Sequence, residues 1–139
     1  MRIVLLSFIL GFVMNIQAQT VEGVWVSVDD ETGEKKSEIT IYKEGEKVYG
    51  KISALLLKPD DTLCETCPGD LKDTPVLGLM IINGLSKSGK NWKGGKILDP
   101  ESGKYYKCLI SLESANKLKV RGYIGLQALG RTQYWIRKE

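Results

Sequence analysis

The chain has 139 residues, with 20 Lys and Arg against 17 Asp and Glu and a formal net charge of +3, too mild an excess to imply nucleic acid or a polybasic membrane patch. Histidine is absent, which excludes Ser-His-Asp and Cys-His nucleophile systems, His-ligated zinc and a proximal-His haem. The length suits one domain with a real core.

The first element is a leader. Met1-Arg2 is a short positive start, Ile3 to Met14 is an apolar run, and small Ala18 stands where a cut would fall. That is secretory signal grammar, and the run is too short for a comfortable membrane span. Residues 1–18 are therefore expected to be a signal peptide and 19–139 the mature domain, with no transmembrane segment once the signal is gone. An uncleaved anchor helix is the alternative. No cysteine follows the run, which argues against a lipid anchor. Export to an oxidising compartment would turn a cysteine pair into a disulfide.

Along the mature chain, turn chemistry recurs at short intervals: Asp29-Asp30-Glu31-Thr32-Gly33, Lys43-Glu44-Gly45-Glu46, Ser86 to Lys90, Asp99-Pro100-Glu101-Ser102-Gly103, Glu113 to Asn116 and Leu126 to Gly130. Gly supplies positive φ there, and Asp, Asn and Ser fold back on the backbone. The intervening segments predict strands near 22–28, 36–43, 47–57, 77–84, 91–98, 104–112, 117–125 and 131–137. Period-two alternation is plainest in Lys117-Leu118-Lys119-Val120-Arg121-Gly122-Tyr123-Ile124. Ile52 to Lys58 is the most helix-tolerant stretch, and nothing resembles a βαβ unit. Regular short strands with tight turns predict an all-β fold, a single antiparallel up-and-down barrel of about eight strands.

One long gap, Lys58 to Val76, contains Cys64-Glu65-Thr66-Cys67. Loops of that length in a compact domain are usually functional or disordered, and this one is expected to cross an open barrel end as a lid. The Cys64 and Cys67 pair reads as a disulfide staple, because a redox couple wants a thioredoxin-like βαβ pattern and zinc wants four ligands. No metal or other cofactor is implied. Cys108, mid-strand, reads as buried core filler.

Gly23-x-Trp25 at the head of the mature chain and Arg137 at its tail suggest how the barrel closes. The first and last strands become neighbours, and the guanidinium lies over the indole, a contact worth about 1–2 kcal/mol when desolvated. Gly23 permits the close approach. Alternation places Arg131, Gln133, Trp135 and Arg137 on one face of the last strand, and Arg121 with Tyr123 on one face of the strand before it. If Trp25 and Arg137 point inward, Gln133 and Trp135, with Arg121 and Tyr123, line the lumen beside Trp25. Such a lumen would be aromatic and polar, suiting an amphipathic or anionic ligand. Eight-stranded barrels equally fill their interior with side chains, so pocket and plug both stand.

Other motifs are weaker. Arg121-Gly122-Tyr123 echoes an RNA-binding strand for three residues and then fails. The acidic clusters at Asp29-Asp30-Glu31 and Asp60-Asp61, with Asp70 and Asp73, lack calcium-loop spacing and read as solvated turn residues.

Gly23-x-Trp25, Val48-Tyr49-Gly50-Lys51-Ile52, Cys64-x-x-Cys67, Gly94-Gly95-x-Ile97-x-Asp99-Pro100-x-x-Gly103-Lys104-x-Tyr106, Val120 to Gly125 and Gly130-Arg131-Thr132-Gln133-x-Trp135-x-Arg137 together resemble the bacterial domain-of-unknown-function 2147 family of exported proteins. The resemblance implies a lipocalin-like or calycin-like barrel and no assigned activity; fold analogy alone is an associational warrant for ligand binding. The leading expectation is an exported, periplasmic or secreted, non-enzymatic binder of a small amphipathic or anionic molecule. The second is a structural or protein-interaction module of the cell envelope with a filled barrel. An enzyme is the third, with no nucleophile motif to support it.

Overall fold

In a computed structural model the described residues are 20–139 together with Ile9 and Gly11. The signal peptide expected at 1–18 otherwise lies outside the described residues. Eight strands follow in chain order: β1 (Gly23–Val28), β2 (Lys35–Glu44), β3 (Lys47–Leu55), β4 (Met80–Ser88), β5 (Asn91–Asp99), β6 (Lys104–Ser114), β7 (Lys117–Tyr123) and β8 (Arg131–Arg137). Each pairs antiparallel with its neighbour in sequence, and β8 returns to β1, so the sheet is a closed barrel. Closure removes every free sheet edge. No helix among the described residues is long and apolar enough to cross a membrane.

Alternating strand direction sorts the connections between two ends. One end carries the start of β1, the tight turns after β2, β4 and β6, and the end of β8. The other carries the β1–β2 turn, the long loop 56–79, the β5–β6 turn and the β7–β8 loop.

The first end is shut by side chains. The Arg137 guanidinium lies 4.2 Å from the Trp25 ring centroid. Its Nε donates to the Ala115 carbonyl at 2.8 Å, Nη1 to Glu22 at 2.9 Å and Nη2 to Thr20 at 2.7 Å. Trp25, fully buried, donates its own Nε1 to the Val21 carbonyl at 2.9 Å. Gly23 has φ +130°, and a Cβ there would sit 2.6 Å from Arg137 Nη1, so the guanidinium occupies the space a side chain would need. Together with Trp25, the buried Ile41, Val48, Leu85, Ile110 and Leu118 fill the lower half of the barrel.

Simple alternation fails in β4. Leu85 pairs with Val48 and Ile82 with Gly50, with an irregular step between them. Gly84 at φ +70° makes the bulge that brings both Ile82 and Leu85 to the interior, three residues apart. β4 begins later than the expected 77–84 and runs on to Ser88, through residues that read as a turn, because Ser86 to Ser88 pair with Lys93 to Asn91 of β5. The helix-tolerant end of β3 stays extended as far as Leu55.

The long loop is ordered by its own contacts. Cys64 and Cys67 form a disulfide, Leu63 bridges Pro75, and Cys64 N donates to Thr74 O at 2.7 Å. Cys64, Cys67, Val76 and Leu79 join the buried apolar cluster, while Thr66 Oγ1 donates to the Pro100 carbonyl at 3.0 Å. The loop therefore docks against the β5–β6 turn rather than closing the barrel end as a lid.

Burial pushes the Cys108 thiol up to about 12, so at pH 8 the folded protein should not react with a thiol reagent. Unfolded without reductant, it should titrate one thiol per chain, since Cys108 is the free cysteine; three would refute the disulfide. Denaturant unfolding tests the clasp. Arg137→Ala should cost about 2 kcal/mol or more and Trp25→Ala about 3–5 kcal/mol. In the double variant the losses should be less than additive, and full additivity would show the two residues uncoupled.

Candidate functional site

Above the packed lower half, the barrel encloses a cavity of about 660 Å³, inside the ~300–1,000 Å³ range of small-molecule sites. The interior is thus neither wholly plug nor wholly pocket. Ile39, Ile52, Ile81, Ile97, Val120 and Tyr106 make the apolar part of its wall. Alternation puts Ile39, Ile52, Ile97, Val120 and Tyr106 inside and leaves lysines such as Lys51, Lys96 and Lys119 outside. Ile81 joins them at the irregular step of β4 where Lys51 pairs with Met80 and Gly50 with Ile82.

A polar strip interrupts that wall where β8, β1 and β2 meet. Ser27 and Ser37 face each other across the β1–β2 ladder with their Oγ atoms 2.7 Å apart. Gln133 lies on β8, with its Nε2 donating to Asp30 Oδ2 at 3.3 Å. Deeper on the same strand, Trp135 lines the cavity and is 3% exposed. Its Nε1 is a buried donor with no hydrogen-bond partner. A buried N–H left unpaired costs about 1–3 kcal/mol.

The mouth is built from turns. Asp29, Asp30, Glu31, Asp99, Pro100 and Glu101 line it from the β1–β2 and β5–β6 turns, and Ile124, Leu129, Gly130 and Arg131 from the β7–β8 side. Asp29 Oδ1 accepts from the backbone N–H groups of Glu31 and Thr32 at 3.0 Å each. Those bonds, that from Thr32 first, hold its carboxyl below the ordinary value, so it stays ionised at neutral pH. Lys36 is ion-paired with Glu101, and Arg131 with Asp30.

The structure brings Gln133, Trp135 and Tyr123 to this cavity. Two other expected lining residues are placed elsewhere. Trp25 lies beneath the cavity, in the closing clasp with Arg137. Arg121 points outward, because β7 pairs Val120 with Gln133 and Arg121 with Thr132. Its guanidinium donates twice to the Gln127 carbonyl, at 2.9 and 2.8 Å, and once to Thr132 Oγ1. Arg121 therefore fastens the β7–β8 loop. The alternation of β7 itself carried that signal, since Leu118 and Val120 are its apolar positions and Lys117, Lys119 and Arg121 its polar ones.

Ser37 and the acidic mouth were not anticipated as parts of a site. Their residue types are ordinary strand and turn choices, and only the closed register puts the two turns around one opening.

A closed eight-stranded antiparallel barrel with a cavity at one end is lipocalin-like. Over residues 23–137 the chain matches, and belongs to, the domain-of-unknown-function 2147 family, described as uncharacterized proteins conserved in bacteria. A solved structure described as protein HP1028 from the human pathogen Helicobacter pylori, belonging to the lipocalin family, superposes with a TM-score of 0.77. That match covers 88% of this chain and 85% of the other at 18% sequence identity, a likeness of fold. Comparison with curated proteins finds no match.

The outward role of Arg121 has a local consequence. Arg121→Ala should speed amide hydrogen exchange across 124–130 by on the order of ten-fold, while the unfolding midpoint moves little. Unchanged exchange in that loop would show that the guanidinium does not hold it.

Proposed function

We propose that this protein is an exported, non-enzymatic binding protein that holds a small amphipathic molecule in the upper half of its barrel. The cavity carries the reading: about 660 Å³, within the size range of small-molecule sites, with an apolar stretch of wall, a polar strip and a mouth at one end. The signal-like residues 1–18 and the Cys64–Cys67 disulfide suit an oxidising compartment such as the periplasm or the cell exterior.

A second reading, a contact module of the envelope, is favoured by the exposed apolar side chains of Ile124, Leu126 and Leu129 beside the mouth. The two separate on whether blocking the cavity removes function.

The uncharged probe N-phenyl-1-naphthylamine should bind the folded protein one to one, with enhanced fluorescence. Val120→Trp, which fills the cavity from β7, should weaken that binding by on the order of ten-fold or more. The barrel should survive at a cost of about 1–3 kcal/mol, checked by circular dichroism. No binding to the wild type, or equal binding to both, would refute a cavity site.

A further inference from the structure

The mouth of the cavity has a charge opposite to that of the chain. Five carboxylates, Asp29, Asp30, Glu31, Asp99 and Glu101, line the cavity with two cations, Lys36 and Arg131, in a protein whose formal net charge is +3. Both cations are already spoken for, Lys36 by Glu101 and Arg131 by Asp30. Asp29, Glu31 and Asp99 have no salt-bridge partner among the described residues.

These carboxylates are more than a solvated turn cluster because of what lies beneath them. They surround the entrance of a cavity of about 660 Å³ walled by Ile39, Ile52, Ile97 and Val120. A cleft with low-dielectric walls focuses the field of charges at its opening and raises the local concentration of the opposite ion. Tyr106 and Tyr123 line the same space, and aromatic faces attract ammonium groups through the ring quadrupole.

We propose that the molecule held here is a cationic amphiphile, with its positive group among Asp29, Glu31 and Asp99 and its apolar body against Ile39, Ile52, Ile97 and Val120. An anionic amphiphile is disfavoured by sign, since neither lining cation is free of a carboxylate. The assignment rests on the cavity being a binding site, as proposed above, and adds the charge of its occupant.

Isothermal titration calorimetry on the mature protein at pH 7 and low salt decides it, using decyltrimethylammonium, decanol and decanoate below their micellar concentrations. Decyltrimethylammonium should bind about ten-fold tighter than decanol, a difference of about 1.4 kcal/mol, and decanoate should bind more weakly than either. At about 0.5 M NaCl, where screening acts within a few ångströms, the preference for the cation should shrink several-fold. Glu31→Lys, a change on an exposed turn, should narrow it at low salt. Equal affinities, tighter decanoate, or a preference indifferent to both salt and Glu31→Lys would overturn the cationic assignment and leave the cavity reading standing. Failure of all three probes, together with failure of N-phenyl-1-naphthylamine, would overturn both.

Discussion

The seam between β1 and β8 is the constraint on which the barrel depends. Trp25 with Arg137 and Val26 with Ile136 are its only two register pairs, whereas β2 and β3 share eight. A ladder so short contributes little cooperative backbone pairing, and an open barrel would present two free edges. Side chains supply what the ladder lacks. Arg137 stacks on Trp25 and gathers carbonyls from the incoming chain, Thr20 and Glu22, and from the β6–β7 turn, Ala115. One guanidinium thereby ties together three parts of the chain, using the spread of donors that arginine has and lysine lacks.

Closing that end with a tryptophan divides the interior into two regimes. The large ring and the buried Ile41, Val48, Leu85, Ile110 and Leu118 make a core of ordinary kind. Nearer the other end, Gly122 and the short side chains of Ser27 and Ser37 leave space unfilled. Stability is concentrated below and the cavity above. Substitutions around the cavity therefore have room to change what is held without opening the seam, a separation seen generally where sites are grafted onto rigid barrels.

Sequence reasoning reached the architecture because its signals are local. Turn residues recur at regular spacing, alternation is visible strand by strand, and Gly23, Trp25 and Arg137 bracket the chain in a way that an open sheet would not need. The facing of β8 was also legible, because Gln133 and Trp135 share parity with Arg137. Register between strands was not. Arg121 was linked to the lumen by the face it shares with Tyr123, yet the pairing of Val120 with Gln133 turns it outward. The bulge at Gly84 broke the alternation of β4. The long loop was recognised as special, but its resting place depends on Thr66 meeting Pro100, a contact between segments more than thirty residues apart that no local pattern encodes.

The acidic mouth shows why a site can hide in residues that read as turns. Asp29 and Asp99 occupy matching positions in two turns. In each the Asp carbonyl accepts the N–H of a glycine four residues on, Gly33 or Gly103, at 2.8 Å. Each side chain caps its own turn, Asp29 through the N–H groups of Glu31 and Thr32, and Asp99 through the N–H of Glu101 and the hydroxyl of Ser102. Those bonds meet a folding requirement, which is all that turn preference can report. They also fix two negative charges in position at the cavity entrance. A carboxylate on a free side chain could swing away from an incoming anion or lose entropy on meeting a cation; one already bound to its own backbone does neither. The geometry that lets the chain reverse direction therefore also preorganises the field at the mouth.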